Sequence, residues 1–212
     1  MFVKQVMIPK MKVTYAKTST SLKVILNTFD DQKIDGIPVV SNDGKQYIGL
    51  LTKNRIYEAA FDSEEPRKVF VESKTAGDIV VQDSNVLTVN DVFEKALVAL
   101  KDRPIAVVVG QKKEFLGIVT RFDILETFQS AFGMQKSGVR ISLTSNDAKG
   151  RMAKIADFAK QCHINIISFA TFDETDKLVR RMVLKIEKSK SLQSFLDKLE
   201  KTGFRILDLH ED

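Results

Sequence analysis

Cysteine and tryptophan are almost missing from this chain of 212 residues: there is one of the first, Cys162, and none of the second. A single thiol excludes an internal disulfide and fits a reducing compartment. Histidine is scarce as well, at His163 and His210, and no Cys, His and Asp fall at metal-ligand spacing. No apolar run approaches the roughly 20 residues that cross a bilayer. The N-terminal stretch is broken by Lys4, Pro9, Lys10 and Lys12, so it lacks the apolar core of a signal peptide. These absences point to a cytoplasmic protein away from membranes. Gly-x-Ser-x-Gly, P-loop and dinucleotide-binding patterns are absent too, so neither an enzymatic role nor a catalytic cofactor is expected.

The charge balance argues against a further class. The excess of +5, from 33 basic and 28 acidic residues, is interspersed rather than gathered into a stripe, unlike a nucleic-acid-binding surface. Tyr15, Tyr47 and Tyr57 are scattered, and the 14 phenylalanines sit mostly among aliphatic residues. That reads as core rather than as a platform for stacking bases. With 43% hydrophobic and 29% charged residues the composition is that of an ordinary globular protein.

What is present is a repeat. Gly49-Leu50-Leu51-Thr52-Lys53-Asn54-Arg55-Ile56 returns as Gly117-Ile118-Val119-Thr120-Arg121-Phe122-Asp123-Ile124. Ile37-Pro38-Val39-Val40 returns as Ile105-Ala106-Val107-Val108, and all four segments obey one offset of 68 residues. A recurring unit of this kind sets the fold.

In each unit the apolar pattern predicts β-α-β-β-α. The first opens with a strand over Lys12–Tyr15, then a helix carrying Leu22, Ile25, Leu26 and Phe29 on one face. Strands at Ile37–Val40 and Tyr47–Leu51 are joined by Asn42-Asp43-Gly44, and a helix runs from about Thr52 to Phe61. The second unit repeats the order with strands at Asn85–Thr88, Ile105–Val109 and Phe115–Val119. Each unit is too small for a good core of its own, so the two are expected to pack as one pseudo-symmetric body. The polar residues 62–76 read as a linker, giving repeats at 1–61 and 77–130.

From residue 138 to 212 the pattern changes to β-α-β-β-α-β, the ferredoxin-like layout of one sheet with two helices. Strands are expected at Val139–Leu143, Ile164–Phe172, Leu178–Ile186 and Phe204–Leu209, with a charged turn at Asp173-Glu174-Thr175-Asp176. Cys162 and His163, at a helix end, read as packing. The charges from Lys185 to Lys190 read as a solvated strand end. The fold class is therefore mixed α+β.

The chemistry lies in Thr-x-x-Asp after a glycine-tailed strand. Thr120 and Asp123 resemble a capping box at a helix N-terminus, with Asp in place of Glu or Gln. The same geometry suits a mononucleotide. Free N–H groups at the helix end take phosphate, a carboxylate in the first turn accepts from a ribose diol, and the strand edge at Ile105–Val107 can flank a base.

At these segments residues 1–128 resemble a tandem pair of CBS domains, the Bateman module. Residues 138–209 resemble an ACT domain through Asn146-Asp147-Ala148-Lys149-Gly150-Arg151-Met152 and His163-Ile164-Asn165-Ile166. The CBS-CBS-ACT order is similar to the acetoin-utilisation AcuB-type proteins of Gram-positive bacteria. The resemblance implies regulation by an adenine nucleotide: cyclic di-AMP, AMP or ATP. It maps the ribose carboxylate onto Asp123, the motif threonine onto Thr120, and the base-flanking positions onto Ile105, Ala106 and Val107. Ala106 stands where proline is common. Leu87 and Thr88 would close the pocket, and Arg121, Thr14, Ile37 and Thr52 complete the candidate set. Arg55 replaces the aspartate in the first repeat, either facing solvent or meeting an anion.

Asn146, Asp147 and Gly150 form a candidate amino-acid loop, though a helix-capping Asn-Asp turn accounts for the same residues. The resemblance further implies a homodimer and an unidentified protein partner. Two other readings stay open. A scaffold without nucleotide predicts that Asp123→Ala leaves partner binding intact, and an amino-acid sensor predicts sensitivity at Asp147 instead.

Overall fold

Leu22, Ile25 and Phe29, all buried, define the inner face of the first long helix, and the paired strands that follow it are apolar along their length. The computed structural model describes residues 1–173 and 179–212. They fall into two units, Met1–Leu125 and Glu126–Asp212. The first comprises β1 (Ile8–Pro9), β2 (Ala16–Lys17), α1 (Leu22–Gln32), β3 (Gly36–Val40), β4 (Tyr47–Thr52), α2 (Lys53–Phe61), α3 (Arg67–Ser73), α4 (Ala76–Ile79), β5 (Leu87–Thr88), α5 (Phe93–Ala99), β6 (Ile105–Val109) and β7 (Phe115–Thr120). Helix α6 (Arg121–Ala131) carries the chain over the boundary. The second unit continues with β8 (Val139–Asn146), α7 (Arg151–Gln161), β9 (Ile166–Asp173), β10 (Val179–Ile186), α8 (Leu192–Lys201) and β11 (Arg205–Glu211).

The repeat is visible in the sheets. One has the order β2-β3-β4, the other β1-β7-β6-β5. In both, a two-residue strand runs parallel to the first strand of an antiparallel pair: Ala16↔Val39 in one, Leu87↔Val108 in the other. The segments ahead of the repeats are exchanged. β1, from the start of the chain, pairs with β7 of the second repeat through Pro9↔Gly117, whereas Gln82 bridges to Gly49 of the first. These approaches explain the repeated glycine. A Cβ on Gly117 would lie 2.2 Å from the Ile8 carbonyl oxygen, and one on Gly49 would lie 2.2 Å from that of Val81.

Two expectations are corrected in this unit. The first strand is Ala16–Lys17 rather than Lys12–Tyr15, because Lys10–Lys12 coil into a 3-10 turn and only two residues pair with β3. Residues 62–76 are not merely a polar connector: they hold α3, whose Phe70 is buried in the core around Leu22, Ile56 and Ala76. A seven-residue helix with one buried aromatic gives almost no periodicity to read.

The second unit has the sheet order β11-β8-β10-β9 with every pair antiparallel, the ferredoxin-like arrangement expected. Ile141, Leu143, Met182 and Leu184 point to one face and pack with Ile155, Phe195 and Leu199 of α7 and α8. Cys162 is buried in the same core. Lys185, expected in a solvated strand end, is instead only 6% exposed, its ammonium 2.7 Å from the Asp212 carboxylate. Glu174, Thr175 and Asp176 of the expected turn, and Leu178, lie outside the described residues.

Arg151 ties the helices together. Its guanidinium donates to the carbonyls of Thr202 and Gly203, both at 2.8 Å, and to Ser145 Oγ at 3.1 Å. It also lies 4.1 Å from the Phe204 ring centroid. The two carbonyls follow α8, where a cation is favourable. Arg151→Ala should lower the stability of this unit by about 2 kcal/mol, and Arg151→Lys should recover less than half of that loss. Urea unfolding of the three proteins is the check, and an unchanged midpoint in Arg151→Ala would contradict it.

Among the described residues no helix is long and apolar enough to cross a membrane.

Candidate functional site

Strand β7 delivers Thr120 to the start of α6. The Asp123 carboxylate accepts from Thr120 N–H at 2.7 Å and from its hydroxyl at 2.6 Å. Asp123 N–H donates back to Thr120 Oγ1 at 3.3 Å. The capping box read from the sequence is therefore formed. In the first repeat Thr52 Oγ1 accepts from Arg55 N–H at 3.2 Å. The Arg55 side chain turns outward, its Nε 3.5 Å from the Ile79 carbonyl at the end of α4 and its guanidinium 3.9 Å from Glu58.

Two adjoining cavities lie where the repeats meet, sharing Asp35 and Pro104. One, of about 390 Å³, has apolar walls from Ile8, Val13, Ile34, Pro38, Ile105 and Ile118, with Thr14, Thr120, Lys12 and Asp35 among its polar groups. The other, of about 450 Å³, is lined by Thr52, Lys53, Asn54, Asp102, Arg103 and Arg121 besides the shared pair. The constant offset makes Asp35 equivalent to Arg103, Lys53 to Arg121 and Gly36 to Pro104. The last two touch: a Cβ on Gly36 would lie 2.8 Å from Pro104 Cγ.

The basic groups of the second cavity are held by neighbours. Lys53 donates to Asp30 at 2.5 Å, which raises its pKa. Arg121 donates to the carbonyls of Leu100 and Lys101 at 3.2 and 3.4 Å. Arg103 is ion-paired with Asp83, which also accepts from the Tyr47 hydroxyl at 3.1 Å. Burial, then the Asp83 charge, pushes the Tyr47 hydroxyl well above its ordinary range, so it stays a donor.

The expected site residues are thus divided. Thr14, Ile105 and Thr120 line the apolar cavity, and Thr52 and Arg121 line the basic one. Asp123 is bonded to Thr120. Ile37, Ala106 and Val107 are buried in strands. β5 reaches only Val108 and Val109 of β6, so Ile105–Val107 forms no ladder with it. Leu87 is buried in β5, while the Thr88 hydroxyl donates to Asp91 at 3.0 Å, and neither borders these cavities. Arg55 borders neither.

Sequence reasoning missed Asp35, Lys53, Asp102 and Arg103. A signal existed at Lys53 and Arg121, where both helices begin with a cation. That is the wrong sign for a helix N-terminus unless an anion sits nearby.

In the second unit Asn146, Asp147 and Gly150 do come together, lining a cavity of about 530 Å³ with Arg151, Arg180 and Met182. Asp147 is paired with Arg180 at 3.3 Å. The capping turn expected there is not formed. Asn146 ends β8, and Gly150 opens α7 at φ 83° without a side-chain cap.

The family model of the CBS domain matches residues 3–62 and 76–130. The chain belongs to the CBS-domain family. Among solved structures, a CBS domain-containing protein of unknown function from Bacillus anthracis is 29% identical over 61% of this chain and 93% of its own, with a TM-score of 0.54. CbpB of Listeria monocytogenes, solved in complex with c-di-AMP, is 25% identical over 58% of this chain and 91% of its own, with a TM-score of 0.50. CBSX2 in complex with AMP is 18% identical over 60% and 95%, with a TM-score of 0.51, and shares the fold. CBSX2 is an Arabidopsis thaliana protein. The CBS pair of this chain thus has a mixed α+β fold, shared with these neighbours.

Proposed function

We propose that the CBS pair senses an adenine nucleotide, cyclic di-AMP or AMP, and passes its state to a partner protein. The observation that carries this reading is the pair of adjoining cavities, one apolar and one basic, drawn from equivalent positions of both repeats. The apolar cavity suits the purine. Lys53, Arg103 and Arg121 suit phosphate, and the Asp35 carboxylate, which borders both cavities, suits ribose hydroxyls; Asp123 is bonded to Thr120 of the apolar cavity. The Listeria protein at 25% identity holds cyclic di-AMP, which makes that ligand the first to test.

Calorimetric titration with AMP, ATP, cyclic di-AMP and cyclic di-GMP is the test. One adenine ligand should bind. Arg121→Ala should weaken it about tenfold, the loss of one charge-assisted contact, and Asp123→Ala by at least as much. Silence from all four would move the reading to a scaffold that binds no nucleotide. The active species is proposed to be a homodimer, and a monomer by sedimentation would remove that part.

The second unit supports a second reading, an ACT-like amino-acid sensor, because its three candidate residues share a cavity. Asp147→Ala should then abolish an amino-acid response and leave nucleotide titration unchanged.

A further inference from the structure

The sheet of the second unit carries helices on one face. On the other, register aligns one residue from each strand in spatial order: His210↔Arg140, Arg140↔Lys185 and Lys185↔Ser168. Arg140 and Lys185 are direct cross-strand neighbours of like charge, an arrangement that is destabilising by itself. It is offset in part by Asp212 on Lys185 at 2.7 Å and by Asp208 on Arg140 at 3.7 Å. The Lys185 side chain is 8% exposed, an ammonium taken out of water, which is costly without anions around it.

This row and Asp212 line a cavity of about 400 Å³ whose apolar walls are Phe132, Met134, Phe172 and Val183. Phe132 and Met134 come from the segment after α6. The Ser168 hydroxyl donates to the Phe132 carbonyl at 2.9 Å, and Gly133, at φ 64°, lies so close that a Cβ there would be 2.4 Å from Ile167. The segment is therefore pinned over β9 with its apolar side chains at the cavity.

We propose that this cavity binds a small organic carboxylate with an aromatic or branched aliphatic body. The carboxylate meets Arg140 and the remaining donors of Lys185, and the hydrocarbon lies among Phe132, Met134, Phe172 and Val183. A bare phosphate would leave those apolar walls unfilled, and a neutral hydrocarbon would engage neither Arg140 nor Lys185, which Asp208 and Asp212 offset only in part. The site is separate from the Asn146–Gly150 cavity, with which it shares no lining residue. It rests on no part of the nucleotide reading.

The test is a titration of the full chain with phenylacetate and with its neutral analogue 2-phenylethanol, followed by amide chemical shifts. Phenylacetate should shift amides of β9, β10 and residues 132–134, with 2-phenylethanol at least tenfold weaker. Arg140→Gln, at an exposed position, should weaken phenylacetate at least tenfold with the spectrum otherwise intact. Lys185→Met is the stronger variant where it folds. Equal binding of acid and alcohol, or no loss in Arg140→Gln, would overturn the proposal. So would shifts of the same amides with protein concentration alone, which would assign the face to a second copy of the chain.

Discussion

Gly117→Ala is expected to cost the CBS pair about 3 kcal/mol, far more than an added methyl group costs elsewhere in a strand. The new Cβ would stand 2.2 Å from the Ile8 carbonyl oxygen and 3.2 Å from Pro9 Cα. Both are backbone atoms, so no rotamer change relieves the contact. Either β1 leaves the sheet or β7 shifts, and β7 ends at Thr120, whose hydroxyl and N–H are bonded to Asp123. The melting midpoint should fall by roughly 10 °C, and the nucleotide affinity proposed above should fall with it. Gly110→Ala is the control. There the nearest atoms belong to the Glu114 side chain, which can swing away, and the cost should stay below about 1 kcal/mol. Equal midpoints for the two variants would refute the close-approach account.

Phe195→Ala should have a comparable effect in the other unit, about 3–5 kcal/mol. Phe195 is fully buried and packs in the core that holds Ile141, Leu143, Leu184 and Leu199. Removing the ring leaves a cavity between α8 and the sheet that aliphatic neighbours cannot fill without leaving their rotamers. Hydrogen exchange of β8 and β10 amides should accelerate by two or more orders of magnitude, with β6 and β7 amides unchanged. Acceleration spread evenly through both units would contradict the assignment of Phe195 to a core of its own.

Most of the architecture was legible because the signals were long or repeated. Ile105–Val109 was expected and found as a strand, and the βαββαβ pattern from Val139 onward matched the sheet order. The errors fall where a segment is short or its partner distant. Lys12–Tyr15 alternates like a strand, yet pairing is decided by Val39 and Val40 and engages only Ala16 and Lys17. Lys185 sits in a charged run, and nothing local to it indicates that Asp212 would cover it. The capping box of Thr120 and Asp123 was legible from spacing alone. Asp35 and Arg103 were not, since each precedes a strand in its own repeat and joins the cavity only through the packing of one repeat on the other.

The exchange of leading segments has a consequence for how this module can be divided. Each repeat is completed by a stretch of chain that precedes the other in sequence: β1 lies along β7, and Gln82 bridges to Gly49. A cut in the loop after α2 would therefore yield two pieces, each carrying the strap the other lacks. The heritable unit is the single repeat, but the smallest unit that can stand alone is the pair. A lone copy of the repeat would have to trade straps with a twin, making between two molecules the exchange that the pair makes within one chain.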